Sequence, residues 1–135
     1  MKNCKESDNV PNSNKKLLLF NMDESKVSLI RTLCGNLNVR LIKIYRPQYG
    51  ESIGALAGIP IYKMTNEPYR GDDFAQEMMV ICGFQSDELE VFLKAYREAG
   101  IPPVWLKATL TPHNMAWSAA QLYRELAEEH KQLHG

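Results

Sequence analysis

The stretch Lys107-Ala-Thr-Leu-Thr-Pro-His-Asn-Met-Ala-Trp117 constrains this chain most, because an apolar run ends there in a Thr-Pro pair and an amphipathic pattern follows. Thr111 carries the side chain of an N-cap, and Pro112 suits the first helical position, where its missing N–H costs nothing. A strand running into a long C-terminal helix is the expectation, with the helix spanning Pro112 to about Leu133. Its inward stripe would be Ala116, Ala119, Tyr123, Leu126 and His130, leaving Arg124, Glu125, Glu128 and Lys131 in water.

Upstream, residues 1–15 are almost wholly polar and offer little to offset ordering entropy, so they read as a disordered tail ahead of one domain over 16–135. Leu17-Leu-Leu-Phe20 is a short continuous apolar run, the mark of a strand covered on both faces. Asn21-Met-Asp-Glu-Ser25 turns the chain into a helix capped by Asp23 or Ser25, with Ile30, Leu33, Cys34 and Leu37 as its stripe. Val39–Ile44 is a second strand, and its two charges place it near an edge. Gly50, Gly54 and Gly58 recur every four residues, which on a short helix would line one face for close packing against the sheet. From Lys63 to Glu77 there is no periodicity, so that segment reads as a lid or a mobile loop. Met78–Cys82 is the third strand. Ser86 is expected to cap a helix with stripe Leu89, Phe92, Leu93, Tyr96 and Ala99, stopped by Gly100 and Pro102-Pro103, before a fourth strand from Val104 to about Thr109.

This alternation predicts an α/β fold: a small three-layer sandwich of four mostly parallel strands in the order 2-1-3-4, with helices on both faces. The competing arrangement is a ferredoxin-like split βαβ with a C-terminal helix, favoured if residues 46–77 form a loose connection without a crossover helix.

Sixteen Lys+Arg balance sixteen Asp+Glu, so no global field gathers nucleic acid or an anionic membrane, and neither is expected as a partner. Cys4, Cys34 and Cys82 are odd in number and lack CxxC spacing, which argues against a disulfide framework or zinc and fits a reducing cytoplasm. No cofactor and no metal site are expected, because His113, His130 and His134 offer only the 130/134 pair at chelating spacing, near the chain end. The chain has no GxGxxG, GxxxxGK[ST], HExxH or GxSxG motif. A Cys-x5-Arg loop would need Arg where Glu88 stands.

In an open parallel sheet, ligands sit beyond the carboxyl ends of the strands. That reasoning gathers Asn21, Arg46, Cys82, Gly83, Lys107, Thr109, Thr111, His113 and Asn114 at one rim. Among them Asn21, Gly83, Lys107, Thr109, Thr111 and Asn114 are the ligand-binding candidates, for a small anionic metabolite. Cys82, with His113 as a base, is the weak catalytic candidate, set against the plainer reading of a buried inert thiol. Trp105 and Trp117 read as core or interface anchors before stacking platforms.

Leu17 to Asn21, Met79 to Phe84, Glu98-Ala-Gly-Ile101, Leu106-Lys-Ala-Thr-Leu-Thr-Pro112, Asn114, Trp117 and Glu128 to His130 together resemble a small bacterial and archaeal family of unknown function, domain family 3783. The likeness spans roughly Lys16 to His130, and its most specific part is Leu110-Thr-Pro-x-Asn114. His113 departs from the small polar residue that often follows the proline. The resemblance implies no activity, substrate or catalytic residue. On these grounds the leading expectation is a non-catalytic regulatory or protein-interaction domain, with a homodimer among its assemblies. Small-molecule or anion binding at the strand-end rim comes second, and a thiol enzyme centred on Cys82 third.

Overall fold

A computed structural model describes residues 14–134 of the chain. The tail expected over 1–15 lies almost wholly outside the described residues. The elements are β1 (Lys16–Phe20), α1 (Glu24–Leu37), β2 (Arg40–Ile44), a 3-10 turn over Arg46–Gln48, α2 (Ile53–Leu56), β3 (Met78–Cys82), α3 (Ser86–Glu98), β4 (Leu106–Thr109) and α4 (Ala119–His134).

The four strands form one sheet in the order β2-β1-β3-β4, the order expected from the sequence. β1 pairs parallel with β2, and β3 parallel with β4, but the central β1–β3 pairing is antiparallel, with Lys16 opposite Cys82 and Phe20 opposite Met78. The sheet is therefore mixed. The split arrangement does not form, because β1 and β2 are direct neighbours. The reversal arises in residues 45–77, whose only α-helix has four residues. That connection returns the chain to the end of the sheet it had just reached, so β3 starts beside the last residue of β1.

Alternate strand residues feed two cores, as the pleat requires. Leu18, Phe20, Met78, Val80 and Leu106 pack with Tyr49, Ile53, Phe74, Ala119 and Leu122 on one face. Leu17, Leu19, Met79 and Ile81 pack with Val27, Ile30, Phe92, Tyr96 and Val104 on the other, under α1 and α3. All of β3 is buried, as its continuous apolar sequence predicts.

The two βαβ units repeat one plan. Asn21 and Gly83, 62 positions apart, both take positive φ directly after a strand, and Asn38 and Gly100, also 62 apart, do so directly after or shortly after a helix. Four extra residues precede β4, and from there the spacing becomes 66. At that spacing the Tyr45 N–H donates to the Gln48 side-chain carbonyl at 3.0 Å, and the Thr111 N–H donates to the Asn114 side-chain carbonyl at 3.0 Å. Ser52 caps α2 through the Ala55 N–H, and Ser118 receives the Gln121 N–H at the start of α4. Ser52 and Ser118 then meet in an antiparallel bridge. Around it the bonds are reciprocal: Ile53 N–H to Trp117 C=O (2.8 Å) matches Ala119 N–H to Glu51 C=O (3.0 Å), and Gly54 to Met115 (2.8 Å) matches Ala120 to Tyr49 (2.9 Å). A pseudo-two-fold axis thus passes between β1 and β3.

Three local expectations differ from the structure. α4 begins at Ala119, not Pro112, because the Met115 and Trp117 carbonyls are turned toward the other half and cannot serve a continuous helix. Thr111 and Pro112 open a separate turn, and Ala116 is exposed. Ser86 is the first residue of α3, while Gln85 is its cap, with its N–H held by the Glu88 carboxylate at 2.9 Å. The glycines share no helical face: only Gly54 lies in α2, where a Cβ would stand 2.5 Å from Tyr62 and 3.0 Å from the Met115 carbonyl.

Residues 63–77 form a latched strap, not a loose lid. Buried Glu51 receives the N–H groups of Thr65 and Asn66 at 2.8 and 2.7 Å. Tyr49 donates to Asp73 at 3.0 Å, Arg46 binds the Gly71 carbonyl through two nitrogens, and Tyr123 Oη accepts the Ala75 and Gln76 N–H groups. Phe74 is clamped between Tyr49 and Tyr123, at 3.9 and 4.0 Å between ring centroids.

Candidate functional site

The antiparallel centre of the sheet dissolves the single rim expected from the sequence. The carboxyl ends of β1 and β2, with Asn21 and Arg46, lie at one end of the sheet; those of β3 and β4, with Cys82, Gly83, Thr109, Thr111 and Asn114, lie at the other. Most of the polar candidates have internal partners. Asn21 Nδ2 donates to the Phe74 carbonyl at 2.6 Å. Lys107, within β4, donates to the Val104 carbonyl at 2.8 Å, and burial pushes its ammonium below the usual lysine range. Asn114 is buried; its side-chain carbonyl receives the Thr111 N–H, its amide donates to the Thr109 carbonyl at 3.0 Å, and its own N–H donates to Thr111 Oγ1 at 3.2 Å. Gly83 lies against the Asn14 backbone, where a Cβ would come within 2.1 Å of the Asn14 carbonyl oxygen.

The Cys82–His113 pair is not assembled. Cys82 is buried in the sheet, its thiol pushed up to about 12 by desolvation, and its polar contact is the Val80 carbonyl at 4.0 Å. His113 is exposed, with its ring against Trp117 at 5.1 Å. His130 stacks near the exposed Trp105 at 6.3 Å. Among the described residues no group of three or more His, Cys, Asp or Glu is placed to hold a metal, and no helix is long and apolar enough to cross a membrane.

A different surface is left open. β2 ends the sheet, and beside it runs a groove of about 660 Å3 lined by Arg31, Cys34 and Gly35 of α1, by Asn38 and Val39 ahead of β2, and by Arg40 to Lys43 within it, with Tyr45 beyond. Since the Arg40 N–H bonds to the Lys15 carbonyl, the alternation of a parallel ladder turns the N–H and C=O groups of Leu41 and Lys43 outward. No strand of the described residues meets them. The charged lining is entirely basic: Arg31, Arg40 and Lys43. Lys43 is bonded to Glu24, which raises its pKa, and its ammonium lies 5.4 Å from the Tyr45 ring centre. Among the described residues no ion pair reaches Arg31 or Arg40. Gly35 widens the groove, because a Cβ there would meet nothing within 4 Å.

The corresponding edge of β4 is built differently. Leu110 N–H bonds to the Ile81 carbonyl, so Lys107 and Thr109 present their backbone groups outward. The Asn114 amide covers the Thr109 carbonyl, whereas among the described residues the Gln48 side chain, in the matching place beside β2, bonds to the Tyr45 N–H and covers no strand carbonyl. Arg40 and Lys43 mark β2 as an edge in the sequence, but nothing in their spacing connects them with Gly35 and Arg31. Gly35 inside the helical pattern, at a cost of about 1 kcal/mol against alanine, was a local sign of the groove.

A mixed four-stranded α/β sandwich with an open, basic edge is the class these elements define. Residues 77–133 match the model of a family described as Domain of unknown function (DUF3783). The match covers β3 through most of α4, which is the second of the two repeated units, and supports over that span the resemblance read from the sequence. No curated protein and no solved structure matches the chain.

Proposed function

We propose that the protein is a non-catalytic interaction domain whose working surface is the open edge of β2. One observation carries this reading: the outward N–H and C=O groups of Leu41 and Lys43 border a groove, while the matching carbonyl on β4 is covered by Asn114. Exposed edges invite pairing with another chain, and proteins commonly block the edges they do not use. Catalysis asks instead for a nucleophile, a base and an orienting group within reach of one another.

Proline substitution at the outward positions tests this. At an edge strand, a proline facing solvent removes a free donor without breaking the internal ladder. A photo-reactive residue at Ile42 should crosslink a specific protein in cells expressing the chain. That product should vanish with Lys43→Pro and persist with Thr109→Pro. Equal crosslinking in both variants would remove the β2 edge from the function.

A further inference from the structure

We infer that β2 accepts, as a fifth strand, an extended segment of a partner protein that is acidic on one face and apolar on the other. This rests on the interaction-domain reading and gives the partner its chemistry. Strand addition draws affinity from main-chain bonds and specificity from the side chains of alternate residues. Leu41 and Lys43 supply the main-chain groups, facing out from the sheet.

The two faces of β2 differ, which sets what alternates along the incoming strand. Leu41 points to the α1 side, where the groove is walled by Cys34 and floored by the open space at Gly35, so apolar side chains fit there. Ile42 and Ile44 point to the opposite side, and the pleat puts Arg40 with them, exposed. Lys43 is already matched by Glu24, which leaves Arg40, on the side away from α1, as the cation that an acidic face would neutralise, while Arg31 stands on α1 beside the apolar face. A second copy of this chain is the poorer occupant. Pairing β2 with β2 about a two-fold axis would gather two sets of Arg31, Arg40 and Lys43 into one strip, and like charges facing across strands oppose pairing.

The test uses the full chain and a dye-labelled peptide of about eight residues alternating valine and glutamate, a length typical of strands. Binding is read by fluorescence anisotropy at low salt. The peptide should bind, and its lysine-for-glutamate counterpart should bind about ten-fold more weakly or not at all, as should the acidic peptide to Arg40→Glu. Gly35→Leu fills the groove at a site with room for a side chain and favours the helix, so it should fold normally by circular dichroism yet lose the peptide. N-methylation of one alternating set of peptide residues should abolish binding, and methylation of the other set should leave it nearly unchanged.

Failure of the acidic peptide to bind, indifference to Gly35→Leu, or equal effects of the two methylation sets would each overturn the inference. So would a solution dimer dissociated by Lys43→Pro, which would assign the edge to a second copy. If the peptide fails while the Ile42 crosslink still depends on Lys43, the interaction reading stands and the acidic strand falls. If the crosslink is also indifferent to Lys43→Pro, both fall.

Discussion

The two halves of this molecule share a backbone and differ in how they finish it. In the first, β1-α1-β2 ends in an open strand flanked by Gly35 and two exposed arginines, Arg31 and Arg40. In the second, β3-α3-β4 ends in a strand whose outward carbonyl is covered by the buried Asn114 and whose approach passes through Pro102 and Pro103. Positive-φ turns, side-chain-held N–H groups and serine caps recur in both. A half-unit of this kind needs those devices to turn its chain. The covering of an edge carbonyl is separate: Asn114 places one over Thr109 of β4, and among the described residues no side chain does so for β2.

The sharpest way to break the comparison is at the junction. Tyr49 and Met115 occupy matching places, but Tyr49 is 1% exposed and stacked on Phe74, while Met115 is partly exposed. Tyr49→Ala should cost about 4 kcal/mol in chemical denaturation, as large aromatic truncations in cores do. Met115→Ala should cost about 1 kcal/mol, in keeping with a half-buried side chain. Equal losses would mean that the strap, with its Tyr49–Asp73 bond, contributes little to the first half.

Asn114→Ala should come next, losing about 2 kcal/mol by stripping partners from the Thr111 N–H and the Thr109 carbonyl at a buried site. Gln48→Ala, which removes one bond at a partly exposed site, should lose less than about 1 kcal/mol. If Asn114→Ala also newly binds the acidic peptide at β4, its cover is what separates the two edges.

A smaller effect of opposite sign is expected from two glycines. Gly35 sits in α1 with open space around its Cβ position, so Gly35→Ala should raise stability by about 0.5–1 kcal/mol. Gly100, at φ +73, should lose about 1–2 kcal/mol on the same change, since alanine is strained there. A stabilised Gly100→Ala would show that the turn relaxes.

A further effect appears only at high pH. Cys34 and Tyr96 are matching residues of the two helices, and burial pushes both up to about 12, Cys34 from 9.0 and Tyr96 from 10.0. Each folded value lies above its unfolded one, so each contribution is complete below the unfolded pKa and fades as pH rises toward 12. The loss should start near pH 9 for Cys34 and near pH 10 for Tyr96. Denaturation midpoints followed from pH 8 to 11.5 should fall less steeply in Cys34→Ala and in Tyr96→Phe, with the Cys34 difference appearing first.

Much of the framework was legible in the residues. The continuous apolar runs marked β1 and β3 at their observed positions, and Arg40 and Lys43 marked β2 as an edge. Asp23 was legible as one of two candidate caps because its carboxylate can accept the Ser25 N–H locally, and the Ser25 hydroxyl together with that N–H holds its pKa low. The rim was not, because it depends on which way β3 runs past β1, and Met78–Cys82 has the same apolar character in either direction. The start of α4 was misread for a related reason. Thr111-Pro112 does form a turn with its own cap, but carbonyls three to six residues later are drawn to Ile53 and Gly54 across the axis. The repeat itself went unread because it resides in backbone conformations served by different residues, asparagine in one half and glycine in the other.

By itself the sequence determined where the four strands and the helices α1 and α3 lie and the burial of β1 and β3, because hydrophobic periodicity and capping act over a few neighbouring residues. Only the tertiary structure decided the direction of the central pairing, the latching of residues 63–77 and the contrast between the two edges. Those depend on hydrogen bonds between residues far apart in the chain, such as Glu51 with Asn66 or Gly54 with Met115, whose partners no local pattern announces.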